Sequence, residues 1–268
     1  MPSIEISGAT RLLPIIGRPV EQVKAPQFFN AFFEAKQIDC VTTALSLEDA
    51  AADAFIGSIR GCANAAGFIA TIPHKQRSAA ACDDLSERSR FLGAANLIRR
   101  EADGRLVGEM SDGLGCVAAM REKGVDPAGK QAVVIGVGGA GSAIAYALAE
   151  AGVDALAITD IDAGRAGDLA ARLAARFPGV AIAHVAPSLS EVDIAVNASP
   201  VGMNGDPNLP MKADGLLPGT LVADVVTNPE ETPWLRAAKA ANCITQTGRD
   251  MVRGQFDLMA THFGFALD

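Results

Sequence analysis

Apolar residues fall into short β-rich runs separated by stretches with helical spacing, the alternation that marks an α/β protein. In the first part of the chain the runs are Leu12–Ile16, closed by Gly17, then Cys40–Leu45 and Gly67–Ile72. Between them, Pro26–Gln37 carries Phe28, Phe29, Phe32 and Phe33 at helical spacing. Leu47–Arg60 reads as an amphipathic helix with Ser46 as its N-cap. Pro73 is placed to start the next helix. Ala95–Arg99 and Leu106–Glu109 flank the turn Ala102-Asp103-Gly104 and predict a hairpin. Gly113–Lys123 is helical and stops at Gly124, and Asp126-Pro127 is loop.

From Gln131 the pattern changes character. A β-branched run, Ala132–Ile135, meets a glycine loop, a helical stretch follows, and a second apolar run ends on Asp160. The loop is a complete G-x-G-x-x-G on Gly136, Gly138 and Gly141, with Gly139 and Ala140 between. In such a loop the glycines serve a tight turn, close approach of backbone to a pyrophosphate, and close packing of helix on strand. The helix start then offers free N–H groups and partial positive charge to the phosphates. An acid about 20 residues beyond the loop can accept both ribose hydroxyls of NAD, and its charge repels the 2′-phosphate of NADP. Asp160 predicts NAD over NADP, and Asp162 is read as the N-cap of the next helix, which includes Arg165. Later strands are expected at Val180–His184, Asp193–Asn197 and Leu221–Val225, and helices at Ala163–Phe177, Pro233–Ala241 and Arg249–Phe265. The stripe Phe256, Met259, Ala260, Phe263 on the last helix reads as core.

Composition narrows the function. The 268 residues carry a net charge of −8 and no long basic run, which argues against nucleic acid and anionic membranes as partners. No uncharged apolar stretch approaches the ~18 residues of a membrane span. The opening MPSIEISGATRLLPIIG lacks a basic start followed by an apolar core, so a leaderless cytoplasmic protein is expected. Five dispersed cysteines and three histidines without ligand spacing fit reduced thiols and no metal.

Oxidising an alcohol with a nicotinamide leaves a proton that a group of tunable pKa must take. Lys75 stands just past a strand in Ala70-Thr71-Ile72-Pro73-His74-Lys75, and Asp112 just past the hairpin in Gly108-Glu109-Met110-Ser111-Asp112-Gly113. Asn96 closes Gly93-Ala94-Ala95-Asn96. Alone these carry little, since a lysine near a helix start is usually solvated and Asp-Gly is usually a turn or cap.

Together the segments resemble the shikimate dehydrogenase family over nearly the whole chain. Its V-T-x-P-x-K matches Ala70–Lys75, its G-A-x-N matches Gly93–Asn96, and its G-x-N-T-D-G matches Gly108–Gly113. Its N-A-[ST]-x-x-G-M matches Asn197–Met203, and its G-x-x-M-L-x-x-Q matches Gly248–Gln255. The resemblance implies an α/β substrate lobe over 1–112, completed by 247–268 through the C-terminal helix, with a Rossmann-type NAD domain over 113–246. It implies Lys75 and Asp112 as the catalytic acid–base pair, and Thr71, Asn96 and Gln255 as substrate contacts. Asn197, Val225 and Gly248 fall on cofactor positions. It also implies a monomer or homodimer among the enzymes of aromatic amino acid biosynthesis, acting on a shikimate- or quinate-like cyclic alcohol.

The match breaks in the substrate pocket. Where the family has G-x-P-[IV]-x-x-S-x-S-P, this chain runs from Gly17 to Pro26 with Val23 and Ala25 at the serine positions that bind the substrate carboxylate. Ile69 and Met110 replace asparagines, and Thr227 replaces an aromatic residue. A hydrogen bond to a charged group is worth roughly 1.5–3 kcal/mol, so losing both serines weakens carboxylate binding by about two to four powers of ten unless something replaces them. Lys24 or His74 could supply charge; the alternatives are a solvated lysine and an ordinary helix-start histidine. A second reading stays open: a module holding NAD and a ring ligand without useful catalysis. The changed pocket favours it and the retained Lys75 and Asp112 oppose it.

Overall fold

The computed structural model describes residues 6–21, 23–185, 187–265 and 267. The first five residues of the segment read for a leader, Gln22 in the altered motif, and residues 266 and 268 of the C-terminal stretch lie outside them. The chain divides into two compact units: Met1–Ser111 with Asp257–Asp268, and Asp112–Phe256.

The first unit runs β1 (Arg11–Leu12), β2 (Ile15–Gly17), α1 (Ala25–Ala35), β3 (Cys40–Val41), β4 (Ala44–Ser46), α2 (Asp49–Ile59), β5 (Gly67–Ala70), α3 (Lys75–Ala80), β6 (Asp84–Leu85), α4 (Glu87–Leu92), β7 (Leu97–Arg100) and β8 (Leu106–Glu109). Its main sheet is mixed, in the order β4-β2-β5-β7-β8-β6, with the expected hairpin antiparallel at β7 and β8. Ile16, Ile56, Phe68, Ile98 and Leu106 form its core, each removed from water. Helix α1 buries Phe29 and Phe33 and leaves Phe28 half exposed, and Phe33 meets Phe265 edge-on at 4.9 Å.

The starts of α2 and α3 differ from the sequence expectation. Ser46 ends β4 and caps nothing; Glu48 precedes α2 with no side-chain cap bond. Pro73 lies in a turn after a cis bond, and α3 starts at Lys75 because His74 N–H already bonds Thr71 O in that turn. The short β6 and α4 have too few residues to show a period, and the sequence pattern passed over them.

The second unit runs α5 (Asp112–Glu122), β9 (Gln131–Ile135), α6 (Gly139–Glu150), β10 (Ala155–Thr159), α7 (Ala163–Arg176), β11 (Ala181–Ala183), β12 (Ile194–Asn197), β13 (Leu221–Asp224), α8 (Pro233–Ala240), β14 (Ile244–Gln246) and α9 (Gly248–His262). The last turns of α9, from Asp257, belong to the first unit. The sheet is parallel throughout in the order β11-β10-β9-β12-β13-β14. The order reverses between β9 and its neighbours β10 and β12, and ligands of doubly wound sheets bind at that switch point, beyond the strands' carboxyl ends. Strands β9, β12 and β13 are almost wholly buried, as continuous apolar runs in a parallel sheet must be. Of the predicted stripe, Met259 and Ala260 on α9 and Phe263 just past its end are core, while Phe256 is partly buried.

Candidate active site

In the second unit the strand end, glycine turn and helix start lie where the sequence placed them. Gly136 has φ +98°, a region L side chains avoid, and a Cβ on it would lie 2.9 Å from Ser199 N. A Cβ on Gly141 would stand 1.9 Å from Gly136 O, so this glycine lets α6 rise directly out of the turn. At Gly138, the N-cap of α6, and at Gly139 a Cβ would meet nothing within 4 Å. That open helix N-terminus fits a pyrophosphate. Beside it is a cavity of about 500 Å³ lined among others by Gly138, Asp160, Ile161, Arg165 and Ser199.

Asp160 is anchored at the rim of this cavity. Its carboxylate accepts Val137 N–H at 2.7 Å and Asp162 N–H at 2.9 Å. Partial burial opposes ionisation, but those two N–H groups and Arg165 outweigh it and hold the carboxyl below its ordinary value. Asp162 caps α7 by accepting Arg165 N–H at 3.1 Å, and the Arg165 guanidinium reaches Val137 O at 3.2 Å. Ile161 is fully exposed.

Asn197 and Val225 sit at the carboxyl ends of β12 and β13. Asn197 is buried and bonds within the protein, to Val201 O, Ser199 and Asp224. Val225 and Thr227 are partly buried, and a Cβ on Gly248 would come within 2.6 Å of Val225 O. Asp112 opens α5 and Gln255 lies on α9, both buried. Glycines bring these helices close: a Cβ on Gly113 would strike Ala143 O of α6 at 2.0 Å, and one on Gly115 would strike Gln255 Cγ at 2.1 Å.

In the first unit, backbone bonds gather Thr71, Lys75 and Asn96. Thr71 N–H bonds Ile16 O at 2.8 Å, Ala95 N–H bonds Lys75 O at 3.0 Å, and Ala70 N–H bonds Asn96 O at 2.8 Å. Lys75 is half-buried at the first position of α3. The Asn96 side chain binds the neighbouring hairpin end: Nδ2 donates to Ser111 Oγ at 3.0 Å and Oδ1 accepts Ser111 N–H at 2.8 Å. A Cβ on Gly17 would overlap Thr71 Cγ2, and Arg18 N–H bonds Ile72 O at 2.8 Å, so the segment leading to α1 runs against the Thr71 turn. Val23 and Ala25 are half-buried beside it in sequence, and Lys24 is exposed at the N-cap of α1.

His74 is fully buried, and its Nε2 donates to Leu47 O at 2.9 Å, tying α3 to the entry of α2. It stands at the N-cap of α3, as a helix-start residue, with its side chain removed from solvent. Met110 and Ile69 are core. Sequence reasoning missed the partnership of Asn96 with Ser111, the Arg88–Glu109 ion pair at 2.9 Å, and the buried Asp224. A lone acid inside an otherwise apolar run, Leu221 to Val226, is the available signal for the last. Among the described residues no group of three or more His, Cys, Asp or Glu could hold a metal, and no helix is long and apolar enough to cross a membrane.

The parallel sheet, its glycine turn and the anchored acid define a dinucleotide-binding protein of the Rossmann class. The family model for the shikimate dehydrogenase substrate binding domain matches residues 15–98. A shikimate dehydrogenase (NADP(+)) of Rubrobacter xylanophilus is 37% identical over 92% of this chain and 88% of that protein. The chain belongs to the shikimate dehydrogenase family. Among solved structures, the ligand-free 5-ketofructose reductase of a Gluconobacter strain matches with TM-score 0.88 and 29% identity, over 97% of this chain and 95% of that one. Quinate dehydrogenase from Corynebacterium glutamicum in complex with NAD matches with TM-score 0.85 and 28% identity, over 95% of this chain and 94% of that one.

Proposed function

We propose that the protein is a dehydrogenase that oxidises a shikimate- or quinate-like cyclic alcohol reversibly to the ketone, with NAD preferred over NADP. Residues 113–246 hold the dinucleotide, and residues 1–112 with 247–268 bind the alcohol. The bound nicotinamide supplies hydride acceptance and return. Lys75 takes the hydroxyl proton in oxidation and gives it back in reduction, and Asp112 orients that exchange. Thr71, Asn96 and Gln255 serve the ring. The observation that carries this reading is Lys75 at the start of α3, fixed through its own carbonyl to the segment ending in Asn96, in a chain 37% identical to a shikimate dehydrogenase.

Asp160 supports NAD. Its carboxylate is oriented by backbone N–H groups at the cavity rim and faces a 2′-phosphate with like charge. The Corynebacterium quinate dehydrogenase structure holds NAD, whereas the Rubrobacter relative is named for NADP(+), so the reading for this chain rests on Asp160.

Val23 and Ala25 support an altered substrate. Neither side chain can donate a hydrogen bond to a carboxylate. The Gluconobacter neighbour is named for 5-ketofructose, a sugar without a carboxylate. An uncharged cyclic or keto-sugar polyol is therefore a preferred candidate beside shikimate and quinate. The deciding experiment is NAD reduction with shikimate, quinate and carboxylate-free ring alcohols. Turnover of shikimate with kcat/KM of about 10⁵ M⁻¹s⁻¹ or more would defeat the altered pocket. Single-turnover hydride transfer with any of them separates an enzyme from a binding module.

A further inference from the structure

Asp224 closes β13 at 1% exposure, and its carboxylate accepts from donors on separate segments. Val226 N–H reaches Oδ1 at 2.9 Å and the Thr232 hydroxyl reaches Oδ2 at 2.7 Å. Asn197 Nδ2 lies 3.1 Å from each oxygen. Among the described residues no cation pairs with Asp224. Burial pushes its carboxyl above the ordinary value, while the bonds from Val226, Thr232 and Asn197 oppose that rise. A buried charge held by neutral donors is a poor source of stability, and apolar residues would fill the space as well.

What the network does hold is the frame of the cofactor cavity. Through its other bonds Asn197 fixes Ser199 and Val201, which line that cavity: its Oδ1 accepts Ser199 N–H at 3.0 Å and its Nδ2 donates to Val201 O at 3.0 Å. Val226, held by Oδ1, and Val225 before it present their carbonyls to Gly248, where a Cβ would come within 2.6 Å. Thr232 caps α8 by accepting Leu235 N–H at 3.3 Å. One carboxylate thus joins the loop after β12, the loop after β13 and the start of α8.

We propose that Asp224 is a positioning residue for the dinucleotide: it locks the loop after β12 and the loop after β13 to each other, so that the cavity wall stands ready before the cofactor enters. This rests on reading the cavity beside Gly138 and Asp160 as the dinucleotide site. Asp224→Asn replaces an acceptor with an NH₂ group among donors, so at least one of the bonds is lost. Thr232→Val deletes one donor to Asp224 together with the cap acceptor for Leu235 N–H, and Thr232→Ser keeps both.

The test is fluorescence titration of NADH on the purified full chain, with KM for NAD and for a turned-over ring alcohol measured alongside. Asp224→Asn is expected to raise the NADH Kd and the NAD KM by about tenfold or more, leaving the alcohol KM within about twofold. Thr232→Val is expected to act in the same direction more weakly, and Thr232→Ser to match the parent. If Asp224→Asn fails to fold, the Thr232 pair decides. Variants that melt at lower temperature yet bind NADH as the parent does would reduce the network to a structural one and overturn the inference. Loss of affinity in Thr232→Ser equal to that in Thr232→Val would overturn it too. A parent that binds no NADH would instead remove the dinucleotide site itself.

Discussion

Asn96 and Ser111 grip each other across the end of a hairpin, with Asn96 Oδ1 accepting Ser111 N–H at 2.8 Å and Asn96 Nδ2 donating to Ser111 Oγ at 3.0 Å. Both residues are buried, and Asp112 follows Ser111 directly in the chain. Asn96→Ala leaves buried polar groups of Ser111 without these partners, at a cost of about 1–3 kcal/mol. Chemical denaturation of Asn96→Ala should show a destabilisation of that size. Unchanged stability would mean that the pair contributes nothing to holding the hairpin end.

Cofactor choice should follow the carboxylate at the end of β10. Asp160→Ala with Ile161→Arg removes the repulsion and places a cation at a fully exposed position on the same cavity. The ratio of kcat/KM for NADP to that for NAD is expected to rise by ~10-fold or more, equivalent to about 1.4 kcal/mol. A parent that already prefers NADP would contradict the assignment of Asp160.

Much of this was legible in the sequence because the physics is local. The glycine turn, its flanking strand and helix, and Asp160 are fixed by neighbours within one βαβ unit, and period and spacing report them directly. The start of α3 was not, because Pro73 sits in a turn whose shape depends on Thr71 and His74 bonding to each other and to other segments. The tie from His74 to Leu47 O is hidden for the same reason: the two lie far apart in sequence. The sequence offers Asn96 as a substrate contact and Asn197 as a cofactor contact and gives no sign of their partners Ser111 and Asp224. In each pair the partner comes from another strand end, and no short-range pattern encodes it.

The substrate pocket should recover carboxylate recognition when hydroxyls are restored at the start of α1. Val23→Ser with Ala25→Ser is expected to raise kcat/KM for shikimate or quinate by roughly 10²–10⁴-fold if both bonds form, while turnover of carboxylate-free alcohols changes little. Steady-state kinetics on the substrate panel checks this. No gain for carboxylate substrates would mean that these positions do not face the ring's acid group.

Acid should weaken the closing helix through His262. Burial, with Arg99 adding to it, holds this imidazole below its ordinary value of 6.5. The unfolded chain therefore binds a proton that the folded chain resists, so stability present above pH 6.5 is lost as pH falls from 6.5 toward the folded value. Thermal melts between pH 7.5 and 5 should show the decline in the parent and a flatter profile in His262→Gln. Parallel profiles would remove His262 from the acid response.

The role of Lys75 as the proton-transfer group is tested most directly by NAD-linked oxidation of the best ring alcohol by the parent and by Lys75→Ala. The expected result is a loss of kcat on the order of 10²–10⁴-fold in the variant with the NADH Kd unchanged. A variant that keeps the parent's kcat would contradict it.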